Sequence, residues 1–171
     1  MTGLDPFKDH IIEICCLISD GQLNIADPNG FEAVIHFPKD VMDNMNEWCI
    51  DHHGTSGLTE QVIASTNTTE QIEQQLLEYL QTHIKEPKTG VLCGNSIQHD
   101  RMFLTREFPK VIDFLHYRQI DVSTIKEIGY RHNPSLMQKV PKKLGLHTAR
   151  ADITESIAEL KWYYDNYLQK E

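Results

Sequence analysis

The spacing of apolar residues along the chain predicts strands separated by helices. Ile11 to Ile18 is a nearly continuous apolar run of strand length. Phe31 to Phe37 alternates apolar and polar positions, which predicts a second strand and a long-looped hairpin with the first. A third strand is predicted at Val91-Leu92-Cys93, and Ile120 with Val122 indicates a fourth.

Helical spacing marks most of the remaining chain. The clearest helix is capped by Thr68 or Thr69, runs to Ile84 and places apolar residues on one side. Asp51 to Gly57 is expected to be polar and flexible, and Asn133 to Gly145 to be a basic connector. Further helices are predicted over Val41 to Ile50, Arg101 to Phe108, a short stretch after Pro109, a segment around Ile125 and Ile128, and Thr148 to Leu168.

This order of elements predicts the fold class. Strands come first and strand and helix then alternate, which favours one α/β domain with a mixed sheet flanked by helices. The 171 residues fit a single domain, residues 1–171, and no internal boundary is visible.

The net charge and the cysteines narrow the range of possible functions. The net charge of −9 argues against wrapping long nucleic acid, because such binding requires many contacts from Lys and Arg to phosphates. A small anionic substrate at one local site remains compatible. The four cysteines lack CxxC spacing and are expected to be reduced, in an intracellular protein. No apolar run approaches the roughly 18 residues of a membrane span, so no membrane partner is expected.

The stretch from Gly94 to Asp100 carries candidate chemistry. It joins the predicted third strand to a helix, and open α/β sheets bind ligands at such strand ends. The Ser96 hydroxyl and the first N–H groups of the helix suit an anion such as phosphate. Asp100 offers a hard oxygen ligand for Mg²⁺ or Mn²⁺. The alternative is an ordinary helix N-cap turn followed by a solvated aspartate.

Two further groups extend this pattern. His147 and Asp152 flank the start of the last helix, about one turn apart, so an imidazole and a carboxylate come near the same point. Together with Asp100 they suggest a metal-dependent phosphodiesterase with histidine as general base. Arg118 has two possible partners, an internal carboxylate or a phosphate, and an ion pair with an internal carboxylate is the simpler expectation.

The motifs around these residues resemble those of the oligoribonucleases, small homodimeric 3′-to-5′ exonucleases of the DEDDh superfamily. The resemblance covers essentially the whole chain, in order and spacing. It rests on Met1-Thr-Gly-Leu-Asp-Pro, Ile11-Ile-Glu, Glu47-Trp48, Ser56-Gly57-Leu58, Gly94-Asn-Ser with Asp100, His116-Tyr-Arg, Asp121-Val-Ser-Thr, and His147 with Asp152.

The resemblance implies a role for each matched residue. Asp100 and Asp152 would be ligands of two divalent ions, Mg²⁺ or Mn²⁺, and His147 would be the general base. Tyr117 would reach the active site of the other subunit, which implies a homodimer. Leu4 would wedge against the bases, with Trp48 and His53 nearby, and the 5′ phosphate of a short single-stranded RNA would be held by Ser96, Arg118, Ser123 and Thr124.

The implied activity is 3′-to-5′ hydrolysis of short oligoribonucleotides to 5′-mononucleotides. A length of about two to five nucleotides fits an acidic protein that lacks a long basic track. The implied fold is ribonuclease-H-like, with a mixed five-stranded sheet. The implied location is intracellular, mitochondrial or cytoplasmic, with no choice readable from the chain.

One departure from the family concerns its first motif, Asp-x-Glu-Met-Thr-Gly. The chain begins at the methionine, so both carboxylates of that motif are absent. We expect an amino-terminally shortened version of a longer protein, lacking a central strand and nearly inactive by itself, because exposed backbone groups of the sheet cost on the order of a kcal/mol each.

Two alternatives remain open at the level of sequence. One is a catalytically silent nucleotide-binding or assembly protein of the same fold, which the missing motif favours. Against it, a protein without catalysis has no chemical need for Asp100, His147 and Asp152 together. The other is a deoxynucleotide proofreading exonuclease, which the Gly-Asn-Ser and His-Tyr-Arg motifs disfavour.

Overall fold

The computed structural model describes residues 1–142 and 148–168. Strands and helices alternate within this part of the chain. The elements are β1 (Glu13–Cys16), β2 (Phe31–Val34), α1 (Lys39–Asp43), α2 (Glu47–Thr55), α3 (Leu58–Ala64), α4 (Thr69–His83), β3 (Leu92–Gly94), α5 (Ile97–Glu107), α6 (Pro109–Phe114), β4 (Gln119–Asp121), α7 (Val122–His132), α8 (Pro134–Met137) and α9 (Ala149–Asn166).

The strands in the described part of the chain form two pairs of opposite type. β1 and β2 are antiparallel, with Glu13 opposite Val34. β3 and β4 are parallel, with Gly94 beside Asp121. The predicted mixed α/β class is therefore confirmed. Among the described residues the two pairs share no hydrogen-bonded strand, so the expected five-stranded sheet is not continuous there, and the missing central strand stays a prediction.

Local sequence explains where the helices begin. The predicted helix after Thr68 is confirmed as α4, with a capping box in which the Thr68 hydroxyl accepts from the Gln71 N–H and the Gln71 side chain accepts from the Thr68 N–H. The single helix predicted over Val41 to Ile50 is wrong. The Asn46 side chain accepts from the Cys49 N–H and so starts a new helix, α2.

The predicted flexible segment from Asp51 to Gly57 is also largely helical, because α2 continues to Thr55. The segment ends at Gly57, which adopts a φ of 77°, a left-handed conformation that glycine enters without strain. The short helix α3, which follows directly, was not expected from the sequence.

The buried side chains of the described residues form three clusters. The largest packs α4, α5 and α6 against the hairpin, and Ile35, Phe103 and Phe108 in it are fully buried. A second cluster lies under α1 to α3. The third joins α7, α8 and α9 through Val122, Met137, Leu160 and Tyr163. This last cluster holds the carboxyl-terminal helix against the end of β4.

None of the helices described here has the length and apolar character needed to cross a membrane.

Candidate active site at the ends of β3 and β4

The carboxyl ends of the two parallel strands bring the Gly-Asn-Ser turn against the start of α7. The Ser96 backbone N–H donates to the Asp121 carboxylate and to the Ser123 hydroxyl, both at 3.0 Å. Ser123 Oγ in turn donates to Asn95 Oδ1 at 3.1 Å. We call these four residues, Asn95, Ser96, Asp121 and Ser123, the strand-edge cluster.

Ser96 has an unusual backbone conformation. Its φ is 53°, in the left-handed region that residues other than glycine seldom occupy. Its hydroxyl does not cap α5 and instead lies 3.4 Å from the Ser123 hydroxyl at the protein surface. Strained backbone of this kind persists where surrounding contacts hold it, often at functional sites. The Ser96 hydroxyl is therefore exposed beside the start of α5.

A groove of about 460 Å³ borders this cluster along α7. Ser123 and Thr124 line one end of it, and Arg131 the other. The Arg131 guanidinium is held by Glu127, 2.6 Å away. The Thr124 side chain is exposed, so its hydroxyl is accessible to a ligand beside the strand-edge cluster.

Asp100 lies in the first turn of α5, one turn beyond Ser96. Burial raises the pKa of its carboxyl group above the usual value, and the α5 backbone partly offsets this. A nearby cation would favour the charged form. The position suits a carboxylate that binds a divalent ion.

The second predicted ligand, Asp152, lies in the first turn of α9. The Thr148 hydroxyl caps this helix by accepting from the Ala151 N–H at 3.3 Å. Burial raises the pKa of the Glu13 carboxyl group on β1, and the Ala149 backbone N–H at the start of α9 partly offsets this. Arg150 binds the Glu32 carboxylate and the backbone carbonyls of Pro28 and Asn29. The first turn of α9 is therefore fixed to the β1–β2 hairpin.

Further hydrogen bonds join α9 to the strand-edge cluster. Asn95 Nδ2 donates to Ser156 Oγ at 2.8 Å, and Ser156 Oγ donates to the Asp152 carbonyl at 2.7 Å. Asn95 Nδ2 also reaches Glu159 Oε2 at 3.3 Å. Glu159 was not singled out in the sequence. Its spacing of seven residues from Asp152, which places both on one helix face, was the signal that could have found it.

The donor chemistry here fits a hard divalent cation. Asp100 and Asp152 supply carboxylate oxygens, and Mg²⁺ is often held by one or two carboxylates together with substrate phosphates. Among residues 1–142 and 148–168, no three or more His, Cys, Asp or Glu side chains converge as a metal site. His147, the predicted general base, lies outside the described residues.

The amino-terminal residues lie beside the helices that carry the predicted base-binding residues. His53 Nε2 donates to the Met1 carbonyl at 2.9 Å, and burial lowers the His53 pKa. His99 Nε2 donates to the Leu4 carbonyl at 2.9 Å. The Leu4 side chain is 74% exposed and Trp48 is 56% exposed, with its ring stacked on His52 at 3.9 Å. Two large apolar side chains are thus exposed in this region.

Arg118 and Tyr117 project from the loop before β4. The Tyr117 side chain is 71% exposed, and the Arg118 guanidinium lies 5.3 Å from the centre of its ring. Arg118 forms no ion pair with any described residue, so the simpler expectation from the sequence is not met in this part of the chain. Its charge is available to an anion.

Comparison with known proteins extends this picture. A sequence profile described as "Exonuclease" matches residues 1–160. The chain is 57% identical to a mitochondrial oligoribonuclease of Saccharomyces cerevisiae, over 99% of this chain and 65% of that protein. It is 47% identical to an oligoribonuclease of Marinobacter nauticus, over 99% of this chain and 92% of that protein.

A third relative is the human mitochondrial oligoribonuclease. It is 44% identical, over 99% of this chain and 71% of that protein. Matches at these identities span nearly the whole described fold, including both strand ends and α9. The chain therefore belongs to the exonuclease family, and within it to the oligoribonucleases of the DEDDh superfamily.

Proposed function

We propose that the chain forms a 3′-to-5′ exoribonuclease unit that hydrolyses short oligoribonucleotides to 5′-mononucleotides. The observation that carries the proposal is the strand-edge cluster, where Ser96 and Ser123 meet at one end of the groove along α7. Arg118, in the loop before β4, adds a guanidinium that forms no ion pair with any described residue. This cluster offers donors for one terminal phosphate at one end of a groove. It does not offer a track for a long chain.

The 5′ phosphate is bound by Ser96, Arg118, Ser123 and Thr124 in this proposal. Arg118 supplies the charge, and guanidinium groups bind phosphate in a bidentate manner. The hydroxyls and the first backbone N–H groups of α7 orient the phosphate through directional hydrogen bonds. The terminal phosphate then sets the distance to the scissile bond, which explains the preference for very short substrates.

The exposed apolar residues complete the substrate site. Leu4 wedges against the bases, and Trp48 provides a ring face for stacking, an interaction worth about 1 to 3 kcal/mol per base. His53 holds the Met1 carbonyl and so fixes the segment that carries Leu4. These contacts do not depend on base identity.

Asp100 and Asp152 hold Mg²⁺ or Mn²⁺ in this proposal, two ions when substrate is bound. The metal supplies Lewis-acid stabilisation of charge on the scissile phosphate. His147 accepts the proton of the attacking water, because an imidazole has an ordinary pKa near neutrality. Burial raises the pKa of the Asp100 carboxyl group, and a bound cation would offset this by stabilising the charged form.

Tyr117 suggests that the active unit is a homodimer. The support for this is that the Tyr117 side chain is exposed, with its ring stacked on His116 at 4.5 Å, so that a second subunit could be reached from it. The mass of the protein in solution, by light scattering, tests this assignment. A monomer with full activity would contradict it.

The names of the relatives suggest a compartment. Two of the three described above are mitochondrial oligoribonucleases, and the third is bacterial. We propose a mitochondrial location, with a cytoplasmic pool as the alternative. Fractionation of cells that express the tagged full-length gene product decides between them.

The silent binding protein is not favoured, given identities of 44 to 57% to oligoribonucleases over nearly the whole chain. The deciding experiment measures release of mononucleotide from a 5′-phosphorylated diribonucleotide with Mn²⁺. The Asp-x-Glu carboxylates do not occur in the 171 residues. The same assay is therefore run on a second protein that is extended upstream of Met1 through that motif.

Cleavage by the second protein and its loss on Asp152→Asn would support the proposal. Binding of the dinucleotide without cleavage by either protein would instead favour the silent binding protein. Cleavage of the matching deoxydinucleotide at an equal rate would overturn the preference for RNA.

A further inference from the structure

Glu159 is a buried carboxylate that the proposed mechanism does not use. It is 4% exposed, and its Oε1 accepts from the Tyr163 hydroxyl at 2.8 Å. The Lys126 ammonium on α7 lies 3.7 Å away. Such partners stabilise a buried charge, because they compensate for the hydration that it loses on burial. Its position between α9 and α7 suggests a role beyond packing.

The carboxylate determines how the Asn95 amide is oriented. An ionised carboxylate can only accept hydrogen bonds, so the Asn95 NH₂ group must face Glu159 Oε2, 3.3 Å away. The amide oxygen then faces the opposite way, toward Ser123. Ser156, whose proton is directed to the Asp152 carbonyl, accepts from the same NH₂ group and reinforces this orientation.

The orientation of Asn95 in turn fixes the Ser123 hydroxyl. A serine has one proton, and Ser123 directs it to Asn95 Oδ1 at 3.1 Å. Its lone pairs remain for the Ser96 backbone N–H at 3.0 Å and the Ser96 hydroxyl at 3.4 Å. Ser123 therefore holds Ser96 in its left-handed conformation, and the Ser96 hydroxyl is the donor that is free to turn to a ligand.

We propose that Glu159 and Asn95 are positioning residues that orient the Ser96–Ser123 pair for binding of a 5′ phosphate. The inference rests on the proposed function, because it assumes that this pair binds the terminal phosphate. Neither residue touches the substrate. Glu159 acts through Asn95, and Asn95 acts through Ser123.

The test measures binding rather than turnover. The probes are the 5′-phosphorylated diadenylate and the same dinucleotide without its 5′ phosphate, titrated calorimetrically in EDTA so that nothing is hydrolysed. The readout is the ratio of the two affinities. Loss of one oriented hydrogen bond to a charged group corresponds to about a tenfold change in affinity.

Glu159→Ala is expected to lower this ratio about tenfold by weakening only the phosphorylated ligand. Glu159→Gln keeps an amide oxygen that accepts from Asn95, so it is expected to retain most of the ratio. Asn95→Ala tests the same path from a half-buried position and carries the experiment if Glu159→Ala fails to fold. The double variant should lower the affinity ratio no further than either single variant, because both substitutions interrupt the same chain of hydrogen bonds.

The matched control is Glu73→Ala. Glu73 is also a carboxylate of 4% exposure with a lysine near it, Lys110 Nζ at 3.8 Å, but it lies in α4 and binds the Lys110 N–H at the start of α6. Its removal should lower stability and leave the affinity ratio unchanged. A fall in the ratio for Glu73→Ala as large as for Glu159→Ala would overturn the inference, because general destabilisation would then explain both.

The remaining outcomes separate the inference from the proposed function. If the unmodified protein prefers the phosphorylated ligand, and Asn95→Ala and folded Glu159→Ala keep that preference, only the inference fails. If the unmodified protein binds both ligands equally, the proposed phosphate site fails and the inference fails with it.

Discussion

Asp121 binds Ser96 across the two parallel strands: its Oδ1 atom accepts from the Ser96 backbone N–H at 3.0 Å, and also from the Ser123 N–H at 2.9 Å. One carboxylate thus caps α7 and closes the turn that leads from β3 into α5. The strand-edge cluster depends on this shared oxygen, because it ties together two segments that are far apart in sequence.

Replacing Asp121 tests this relationship. Asp121→Ala removes the cap of α7, and we expect the free energy of unfolding to fall by about 1 to 2 kcal/mol. Asp121→Asn keeps an oxygen that can accept from both N–H groups, so its free energy of unfolding should fall much less. Urea denaturation of both variants measures the difference. Equal losses would show that the negative charge matters more than the shared acceptor.

The Arg150 guanidinium fixes the start of α9 to the hairpin through Glu32, Pro28 and Asn29. We expect Arg150→Ala to increase hydrogen exchange of the first-turn amides of α9 several-fold, because local opening becomes easier when such contacts are lost. The thermal unfolding midpoint should change little, since the pair is largely solvent-exposed. Exchange measured by mass spectrometry tests this.

Arg150→Lys serves as the control for the Arg150 prediction. Lysine carries its three N–H donors on one nitrogen and lacks the planar fork of the guanidinium, so it should reach the separated acceptors less well and restore the protection only in part. Full restoration by lysine would mean that charge alone, without the bridging geometry, holds the helix.

Glu107 fixes the amino-terminal segment that carries Leu4. Its nearly buried carboxylate accepts from the Ile11 N–H at 2.8 Å and lies 2.7 Å from His10 Nδ1. Glu107→Ala leaves a buried N–H without its acceptor, and we expect a loss of about 2 kcal/mol in the free energy of unfolding. Cleavage by protease within residues 1–10 should become faster.

Glu107→Gln supplies the comparison, because it retains an oxygen for the Ile11 N–H. It should protect residues 1–10 nearly as well as the original carboxylate. If Glu107→Ala left both stability and proteolysis unchanged, the segment would be held by its other contacts, including those of Arg106 with the Pro6 and Asp9 carbonyls.

The contact of His53 with the Met1 carbonyl predicts a pH effect. Burial lowers the His53 pKa, so the folded protein favours the neutral ring. This contribution to stability is complete above the unfolded pKa of about 6.5 and is lost as the pH falls from there toward the lowered folded value. His53→Gln, which donates at every pH, should lose less stability than the original protein between neutrality and mild acid.

Thermal unfolding across that pH range, for both proteins, checks this prediction. The difference between them is the quantity of interest, because other groups titrate equally in both. Parallel curves for His53 and His53→Gln would contradict it.

Sequence patterns predicted elements best where local chemistry alone decides them. The amphipathic helix after Thr68 was predicted correctly because its cap and apolar face lie within one segment. The helix predicted across Val41 to Ile50 failed because Asn46 can continue a helix or cap one, and tertiary packing of Met45 and Cys49 decides which.

The candidate site also has a part that the sequence predicted and a part that it did not. Ser96, Asp100, Ser123 and Asp152 were predicted as site residues from motifs, and the structure brings Ser96 and Ser123 into direct contact. The polar network behind them was not predicted. Glu159 and Asn95 are 64 positions apart, and only the packing of α9 against the end of β3 places them together.

The sequence by itself determined the α/β class, the family and the residue types available for phosphate and metal binding, because these follow from periodicity and short motifs. Only the tertiary structure decided which of these groups face one another. A hydrogen bond requires two atoms about 3 Å apart with fixed geometry, and that distance depends on how distant segments pack. The orientation of Asn95 between Glu159 and Ser123 is such a relationship.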